Sequence, residues 1–384
     1  MTFKIRKKIA VVVPKYGLVG GGEKFTSELT ERIAQNRCYD IHVFANKWVS
    51  NSDLIAFHKI PIIRFPKFLT TISFAFFANR KIAKMNFDLI HTHDRIFKAD
   101  IFTMHGIPHQ IWVKEVRKKN MSLYDYTTRW VERRLVRSKK YRRFLSVSNL
   151  TKEKFLQEYN VDPNDVQIIH PGVDIYKFKS LDKKACRHEI RSRFCIDESD
   201  IIILFVGMNF EIKGLDNLMS AIAIIRSKYP FHKPKLLVVG KGNYRKYRKL
   251  AQNLGLKDNV IFAGVWENNI EKIYLASDIF CMLSKFDTFG MTILEAMAAS
   301  LPVIISNHVG AKDLVRQGVN GFVIENIDNV DNISRKIIIM LNEKNRKKMA
   351  EESFNAAQNN TWEFVAERVE KLYQTIIPIT HRGQ

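Results

Sequence analysis

The sequence lacks several features that would assign it to a class of protein at once. Its 384 residues include only four cysteines, Cys38, Cys186, Cys195 and Cys281, and none of their spacings is that of a CxxC motif or a zinc site. Reduced thiols in the cytosol are therefore expected. No apolar run approaches the roughly 18 residues that a membrane-spanning helix needs. The apolar run at residues 9–13 is too short for a signal peptide and predicts a strand.

Acidic residues are also scarce. Asp and Glu together number 39, whereas Lys and Arg number 62, which gives a net charge of +23 at pH 7. A charge of this size predicts an anionic partner, which could be nucleic acid, a membrane surface or an acidic substrate. A role in solubility alone is the alternative. The hydrophobic share of 46% is enough for real cores, and the length favours two domains.

The stretch that says most about function is residues 277–306, SDIFCMLSKFDTFGMTILEAMAASLPVIIS. Two apolar runs of strand length flank a segment whose apolar residues recur at three- and four-residue steps, which predicts a strand–helix–strand unit. Asp287 precedes the helix, where free N–H groups and the helix dipole favour oxygen ligands. Glu295 lies roughly 8 Å further along the axis. Two carboxylates placed in this way could hold two hydroxyl-rich groups of one ligand, although a helix cap and a solvated helix residue would give the same pattern.

This stretch resembles the E-x7-E signature of retaining GT-B glycosyltransferases of family 4, which include the bacterial lipopolysaccharide-core glycosyltransferases. Asp287 and Glu295 have the required spacing, AMAASLPVI follows them, and the segments NHVGA at 307–311 and GVNGFV at 318–323 continue the resemblance. The family usually has Glu where this chain has Asp287. A side chain shorter by one methylene can move the carboxylate by about 1 Å, which affects catalysis where positioning is critical. The resemblance covers essentially the whole chain.

The alternation of strands and helices in two halves predicts an α/β fold, and the resemblance implies the GT-B arrangement of two Rossmann-like domains facing across a cleft. Residues 1–172 are the expected N-terminal, acceptor-binding Rossmann-like domain. Residues 173–360 are the expected C-terminal domain for the nucleotide-sugar, and residues 361–384 a helix that crosses back to the first domain. The strands predicted in the first domain are residues 9–13, 40–44, 60–65 and, as the last one, 144–148.

Three consecutive glycines, Gly20, Gly21 and Gly22, follow the first strand and open the first helix. A doubly wound domain binds its ligand at this position, and glycines let a phosphate approach the backbone. A flexible turn is the alternative. The resemblance places this loop against the donor diphosphate and the acceptor. It also places His105, in the strand end FTMHGIP, beside the transferred sugar, and a purely structural histidine is the alternative.

The second domain begins with an apolar strand at residues 201–206 and continues as GMNFEIKG. The family usually has VGRxxxxKG here, and both its Arg and its Lys neutralise the donor diphosphate. Lys213 is present after Gly207, but Met208 stands at the Arg position, so one cation is missing. Losing such a contact costs about 1.5–3 kcal/mol unless another cation replaces it. Gly240 belongs to the strand end VVGKG, which resembles the family's nucleotide pocket.

The resemblance implies a role for each of these groups. Asp287 would hold the sugar hydroxyls, Glu295 the ribose of the nucleotide, and Lys213 the departing diphosphate. The backbone N–H groups expected to help are those of Phe289, Gly290 and Met291. The sequence contains no DxD motif, so no catalytic metal is expected, and no cofactor beyond the nucleotide-sugar co-substrate. Because no covalent nucleophile stands out, front-side displacement with the leaving phosphate as base is the implied mechanism.

Residues 110–144 form a second informative stretch, in which twelve Lys and Arg stand against three acidic residues. Cations interleaved with aromatics suit an anionic lipid or glycolipid surface. A solvated charged face and a nucleic-acid site are the alternatives, and nucleic acid is the less expected partner. The residues assigned to this membrane or acceptor patch are Trp112, Lys114, Arg117, Lys118, Lys119, Trp130, Arg133 and Arg134.

These patterns and the resemblance together predict a retaining, metal-independent hexosyltransferase. The donor would be a nucleotide-sugar, most simply UDP-linked, and the acceptor a hydroxyl of a lipopolysaccharide-core or other membrane-associated glycan. The expected location is cytoplasmic and peripheral, on the inner face of the membrane. Two alternatives stay open: a non-catalytic protein of the same fold that binds anionic surfaces or nucleic acid, and a GT-B sugar epimerase or phosphorylase.

Overall fold

The computed structural model describes residues 6–18, 20–138 and 141–377. Within these ranges the chain divides into two compact units. The first extends to Gly172 and includes the segment that starts at Trp362, and the second is Val173–Thr361. Each unit is an α/β body with its own parallel sheet, as the alternation of strands and helices predicts.

The first unit is organised around a parallel sheet of seven strands. The strands described in the whole unit, including the two outside this sheet, are β1 (Lys7–Val12), β2 (Lys15–Tyr16), β3 (Tyr39–Ala45), β4 (Lys47–Trp48), β5 (Ile55–Lys59), β6 (Leu89–Thr92), β7 (Ile101–Met104), β8 (Arg143–Ser146) and β9 (Val166–Ile168). The spatial order is β5-β3-β1-β6-β7-β8-β9, and β2 pairs separately with β4. The order reverses between β1 and β6, and ligands bind at the carboxyl ends of the strands beside such a point.

Helices connect these strands. They are α1 (Gly21–Gln35), α2 (Leu69–Ile82), α3 (His109–Ile111), α4 (Leu123–Arg137) and α5 (Asn149–Glu158). A π-helical turn, Trp112–Val116, follows α3, and a 3-10 turn, Pro163–Asp165, precedes β9. Helix α4 begins with a capping box, in which the Ser122 side chain accepts from the Asp125 N–H and the Asp125 carboxylate accepts from the Ser122 N–H.

Two strand predictions for this unit are wrong. In chain order, the third strand of the seven-stranded sheet is β5. The segment predicted to be this strand, residues 60–65, contains no strand. This segment contains Pro61, which has no N–H to donate to a strand ladder, while Ile55 pairs in register with Ile41. The strand at residues 144–148 is also not the last one, because β9 adds to the sheet beyond β8.

The second unit contains a six-stranded parallel sheet. Its described strands are β10 (Ile202–Met208), β11 (Lys235–Lys241), β12 (Val260–Gly264), β13 (Ile279–Met282), β14 (Val303–Ser306) and β15 (Gly321–Ile324). Its helices are α6 (Tyr176–Lys179), α7 (Lys183–Arg193), α8 (Leu215–Lys228), α9 (Tyr244–Asn253), α10 (Ile270–Ala276), α11 (Met291–Ala298), α12 (Val330–Leu341) and α13 (Glu343–Gln358), with a 3-10 turn at Gly310–Leu314. The strand order β12-β11-β10-β13-β14-β15 is that of a Rossmann fold and reverses between β10 and β13.

The last helix, α14 (Trp362–Ile376), belongs to the first unit. Trp362 is fully buried, and its ring packs edge-on against Phe25 of α1 with centroids 5.6 Å apart. Arg32 of α1 donates to Glu363 at 2.8 Å. The predicted returning helix covered residues 361–384, of which 378–384 lie outside the described ranges. Among the helices described here, none has both the length and the apolar character required to cross a bilayer.

Candidate active site

The loop between β13 and α11 contains three of the residues predicted to bind the donor, Asp287, Phe289 and Gly290. Its backbone is fixed by the segment after β14, because the Asp287 N–H donates to the His308 carbonyl at 3.0 Å and the Asp287 carbonyl accepts from Gly310 at 3.1 Å. The Ala311 N–H donates to the Phe289 carbonyl at 2.7 Å. Asp287 is therefore held at the carboxyl edge of the second unit's sheet.

Lys213 and Asp287 form an ion pair at this edge, between Nζ and Oδ2. Their side chains are 19% and 21% exposed, so the pair is partly screened from water. Gly214 makes this contact possible. Its φ is +73°, and a Cβ there would lie 2.1 Å from the Leu283 carbonyl oxygen at the end of β13. Glycine thus allows the lysine loop and the carboxylate loop to approach each other.

The N–H groups predicted to contact a ligand differ in their availability. The Phe289 N–H already donates to Asp287 Oδ1 at 3.2 Å, so in this conformation it orients the carboxylate. Gly290 is the N-cap of α11 with φ +90°. Met291 begins the helix, and its N–H is one of the first-turn donors for which no intrahelical carbonyl exists.

Glu295 lies one turn into α11 and has a partner that the sequence did not reveal. The hydroxyl of Tyr274, a fully buried residue of α10, donates to Glu295 Oε2 at 3.1 Å. Burial and the nearby Glu295 raise the pKa of Tyr274 well above its usual value. The hydroxyl therefore stays protonated and donates to the Glu295 carboxylate, which it orients.

Gly207 and Gly240 complete the arrangement at the ends of β10 and β11. A Cβ on Gly240, whose φ is +120°, would lie 2.0 Å from the Gly207 carbonyl oxygen. A Cβ on Gly207 would lie 2.9 Å from Cγ of Lys213. The two glycines let the strand ends and the Lys213 stem pack closely, and they leave bare backbone at the edge where a ligand is expected.

The first unit holds the other predicted residues. A cavity of about 440 Å³ is lined by Gly22, His93 and His105, among others. The glycine loop and His105 are neighbours, because a Cβ on Gly22 would lie 3.1 Å from Cγ of His105. Gly20, with φ +149°, and Gly21 lead from the turn into α1. His105 Nε2 and His93 Nδ1 share a hydrogen bond of 3.0 Å, and the buried His93 Nε2 has no protein partner among the described residues.

Burial lowers the pKa of His105 to about 3. It also lowers the pKa of His93 well below its usual value, with added repulsion from His91 and His105. Both rings are therefore neutral at pH 7. Neutral imidazoles can donate and accept hydrogen bonds, which suits a sugar hydroxyl better than a phosphate.

Charged residues of this cavity were not singled out from the sequence. Arg95 donates to Glu132 at 2.6 Å, and Glu132 also accepts from the Tyr159 hydroxyl at 2.7 Å and the His109 N–H at 3.0 Å. The sequence pattern around Glu132 suggests an exposed acidic residue among basic ones, but in the structure Glu132 is buried. The only signal in the sequence was the position of Arg95, directly after the strand end DLIHTHD.

In the predicted membrane or acceptor patch, most residues are exposed to solvent, whereas two arginines pair with acidic residues of the same unit. Trp130 is exposed, and the Arg134 guanidinium lies 5.5 Å from its ring centroid. Arg133 turns instead toward Glu158 at 3.3 Å, and Arg117 is tied to the buried Asp125 at 3.1 Å. The remaining members, all exposed, are Trp112, Lys114, Lys118 and Lys119. Two further cations of the basic stretch, Lys139 and Lys140, lie outside the described ranges.

Each half of the chain matches a model of a glycosyltransferase family. The model described as Glycosyl transferases group 1 matches residues 187–356, and the model described as Glycosyltransferase Family 4 matches residues 19–177. An uncharacterized glycosyltransferase of Methanocaldococcus jannaschii is 25% identical over 97% of this chain and 100% of its own length. The UDP-Gal:alpha-D-GlcNAc-diphosphoundecaprenol alpha-1,3-galactosyltransferase of Escherichia coli is also 25% identical, over 76% of this chain and 75% of its own.

Among solved structures, the chain is similar to WaaG, a glycosyltransferase involved in lipopolysaccharide biosynthesis. The TM-score is 0.76 at 20% sequence identity, and the match covers 95% of this chain and 99% of WaaG. At this identity the likeness shows the fold, which is that of two Rossmann-like domains of the GT-B type.

Proposed function

Since this chain belongs to the GT-B glycosyltransferases of family 4, we propose that it transfers a hexose from a nucleotide-sugar with retention of the anomeric configuration. The observation that carries the proposal is the ion pair of Lys213 with Asp287 at the carboxyl edge of a Rossmann sheet. Glu295, with its buried Tyr274 partner, lies in the helix that follows Asp287. The cation is placed for a departing diphosphate and the carboxylates for hydroxyls.

In the proposed reaction the bond between the sugar C1 and the diphosphate oxygen breaks as the acceptor oxygen bonds to C1 from the same face. The acceptor proton passes to an oxygen of the leaving diphosphate. Lys213 stabilises the charge that develops on this group, as a preorganised cation does. Asp287 holds hydroxyls of the sugar, and Glu295 holds those of the ribose. Because Lys213 and the N-terminus of α11 supply positive charge at the leaving group, we expect the rate to be unchanged by EDTA.

The finer proposals concern the donor base and the acceptor. UDP is the proposed nucleotide, supported by the E. coli relative, which is named for UDP-Gal. The proposed acceptor is a glycan carried by a membrane lipid, of the lipopolysaccharide-core kind. The neutral His105 in the cavity of the first unit suits an acceptor or sugar hydroxyl. The exposed aromatic and basic residues of α4 suit an anionic membrane surface, so a peripheral location on the inner face is proposed.

The test compares the wild type with Lys213→Ala and Glu295→Ala, using UDP- and GDP-sugars and a glycolipid acceptor. We expect nucleotide release to fall by about 10²–10³ in Lys213→Ala, as when one preorganised donor is lost, while binding to anionic vesicles is unchanged. Proton NMR of the product should show the anomeric configuration of the donor. An inverted product would contradict retention, and full turnover in Lys213→Ala would contradict the assigned site.

The alternatives predict different results. A non-catalytic surface binder would keep vesicle binding but turn over no donor, and the matches to glycosyltransferases do not favour it. An epimerase or phosphorylase would react without an acceptor alcohol. Omitting the acceptor from the assay therefore separates these activities from transfer.

A further inference from the structure

A donor diphosphate, whose binding rests on the proposed function, needs a second cation besides Lys213. A nucleotide-sugar carries two negative charges on its diphosphate, whereas Lys213 is already paired with Asp287. The pair contributes no net charge. Met208, at the end of β10, is 56% exposed at the same edge and offers no charge either. The edge where the diphosphate is proposed to bind therefore needs a further cation.

We infer that Lys241, the last residue of β11, supplies this cation. Strands β10 and β11 are parallel neighbours, and Met208 pairs in register with Lys241. Neighbouring strands lie about 4.8 Å apart, and residues in register project to the same face of the sheet. Lys241 thus stands directly beside the position where Met208 lacks a charge.

The backbone around Lys241 is held closely against β10. The Asn209 N–H donates to the Lys241 carbonyl at 2.7 Å, which extends the pairing one residue beyond the end of β10. Gly240, directly before Lys241, approaches Gly207 so closely that a Cβ there would lie 2.0 Å from the Gly207 carbonyl oxygen. Gly207 in turn contacts the stem of Lys213. Lys241 and the stem of Lys213 therefore both lie beside the end of β10.

The Lys241 ammonium is also available to a ligand. The side chain is exposed and forms no ion pair or hydrogen bond with any residue in the described ranges. Lys246, in the first turn of α9, differs in this respect because it pairs with Glu211 at 3.2 Å. A lysine has a flexible four-carbon stem and three donors, so Lys241 can turn toward an anion at the sheet edge. With Lys241 included, the net charge of the three groups Lys213, Asp287 and Lys241 is +1.

The assignment makes a specific prediction about which part of the nucleotide Lys241 contacts. A diphosphate contact should matter for UDP and not for uridine, which has no phosphate. We expect Lys241→Ala to weaken UDP binding about tenfold, which corresponds to about 1.4 kcal/mol. Uridine binding should be unchanged. Lys241→Gln, which keeps much of the stem but not the charge, should lose UDP affinity to the same extent.

Isothermal titration calorimetry with UDP and uridine tests this on the full chain; if the wild type binds GDP or ADP in place of UDP, that diphosphate and its nucleoside are used in the same way. Lys249→Ala is the matched control, because it removes an exposed lysine of α9 with the same change in charge, and it should keep UDP affinity within twofold. Adding Met208→Arg to Lys241→Ala should restore most of the affinity, since it places a cation on the neighbouring strand in register.

The outcomes separate this inference from the proposed function. If the wild type binds UDP and both Lys241 variants bind it equally well, the assignment of Lys241 is wrong and the proposed function stands. If the variants lose UDP and uridine affinity alike, Lys241 has a structural role and the assignment is also wrong. If the wild type binds none of UDP, GDP and ADP, the proposed function fails and the inference fails with it.

Discussion

At the scale of single residues, a glycine decides whether Lys213 and Asp287 meet. Gly214 has φ +73° and lies against the Leu283 carbonyl, and this approach sets Lys213 next to Asp287. The approach of Gly214 to Leu283 and the pairing of Lys213 with Asp287 do not follow from the sequence, which shows only that Lys213 precedes Gly214. The pairing of Lys213 with Asp287 requires two loops 74 positions apart in the chain to be adjacent.

Gly214→Ala is expected to lower both stability and turnover. The new methyl group would combine a strained φ with a 2.1 Å approach to backbone, so the free energy of unfolding should fall by more than the roughly 1 kcal/mol that strain alone costs. Gly255→Ala is the matched control, because Gly255 has φ +67° and open space where the Cβ would lie. Urea denaturation and kcat would be measured for both. Equal losses of stability in the two variants would show that the close approach is unimportant.

Buried histidines of the first unit make its stability depend on pH. His91 bonds to the Tyr373 hydroxyl and to Thr103, each at 2.6 Å, and burial lowers its pKa to about 3, with some repulsion from His105. In the unfolded chain the pKa returns to about 6.5. Below pH 6.5 the unfolded state therefore binds protons that the folded state does not, and the stability present above 6.5 is lost progressively as the pH falls toward 3.

Each such histidine should add up to about 1.4 kcal/mol per pH unit to the slope of the unfolding free energy below pH 6.5. We expect His91→Gln to make the slope between pH 6.5 and 4.5 shallower by roughly 1 kcal/mol per unit. Tryptophan fluorescence in a Trp266→Phe background reports the first unit, which then contains all the remaining tryptophans. The exposed His232 provides the control, since His232→Gln should keep the wild-type slope. An unchanged slope in His91→Gln would contradict the buried neutral ring.

At the scale of elements, helix α4 combines two opposite faces. Its inner face buries Asp125 and Glu132, two of the three acidic residues of the basic stretch. Its outer face exposes Leu123, Tyr126 and Trp130, which recur at three- and four-residue steps. The exposed surface is therefore more basic and more apolar than the composition suggests, which supports contact with an anionic membrane.

Replacing Leu123, Tyr126 and Trp130 together by Ser should abolish most binding to vesicles that contain anionic lipid. Each exposed apolar side chain can insert at the interface, and burying it there adds to the electrostatic attraction. Phe231→Ser is the control, because Phe231 is 97% exposed in the second unit and lies outside this face. Flotation at moderate salt would measure the bound fraction. Wild-type flotation of the triple variant would exclude this face of α4 as the membrane contact.

How far elements could be predicted depended on whether their pattern was local. The strand–helix–strand unit around α11 was found because its periodicity and its turn residues lie in one stretch of 30 residues. The third strand was predicted at residues 60–65 instead of at β5, because the register of a strand depends on its partner, here β3, rather than on local hydrophobicity. Tyr274 and Lys241 were missed as site residues for the same reason, since their roles follow from contacts between elements.

At the scale of the whole molecule, both sheets have the strand order of a Rossmann fold, with a reversal at β1 in the first unit and at β10 in the second. The glycine loop follows β1 and the Lys213 loop follows β10, so each predicted loop lies beside a reversal point, where such folds bind ligands. The α/β class was predictable from alternating strands and helices. The extra strand β9 and the buried network around Glu132 were not, because both depend on packing within the folded first unit.

The central claim is that the second unit binds a nucleotide through Lys213, Glu295 and the edge of its sheet. Thermal unfolding with and without UDP, GDP and their sugars tests it most directly, because a ligand at a hundredfold excess over its Kd stabilises the folded state by about 2.7 kcal/mol. We expect one nucleotide to raise the melting temperature of the wild type and to have little effect on Glu295→Ala. An unchanged melting temperature with every nucleotide, or an equal rise in Glu295→Ala, would contradict the claim.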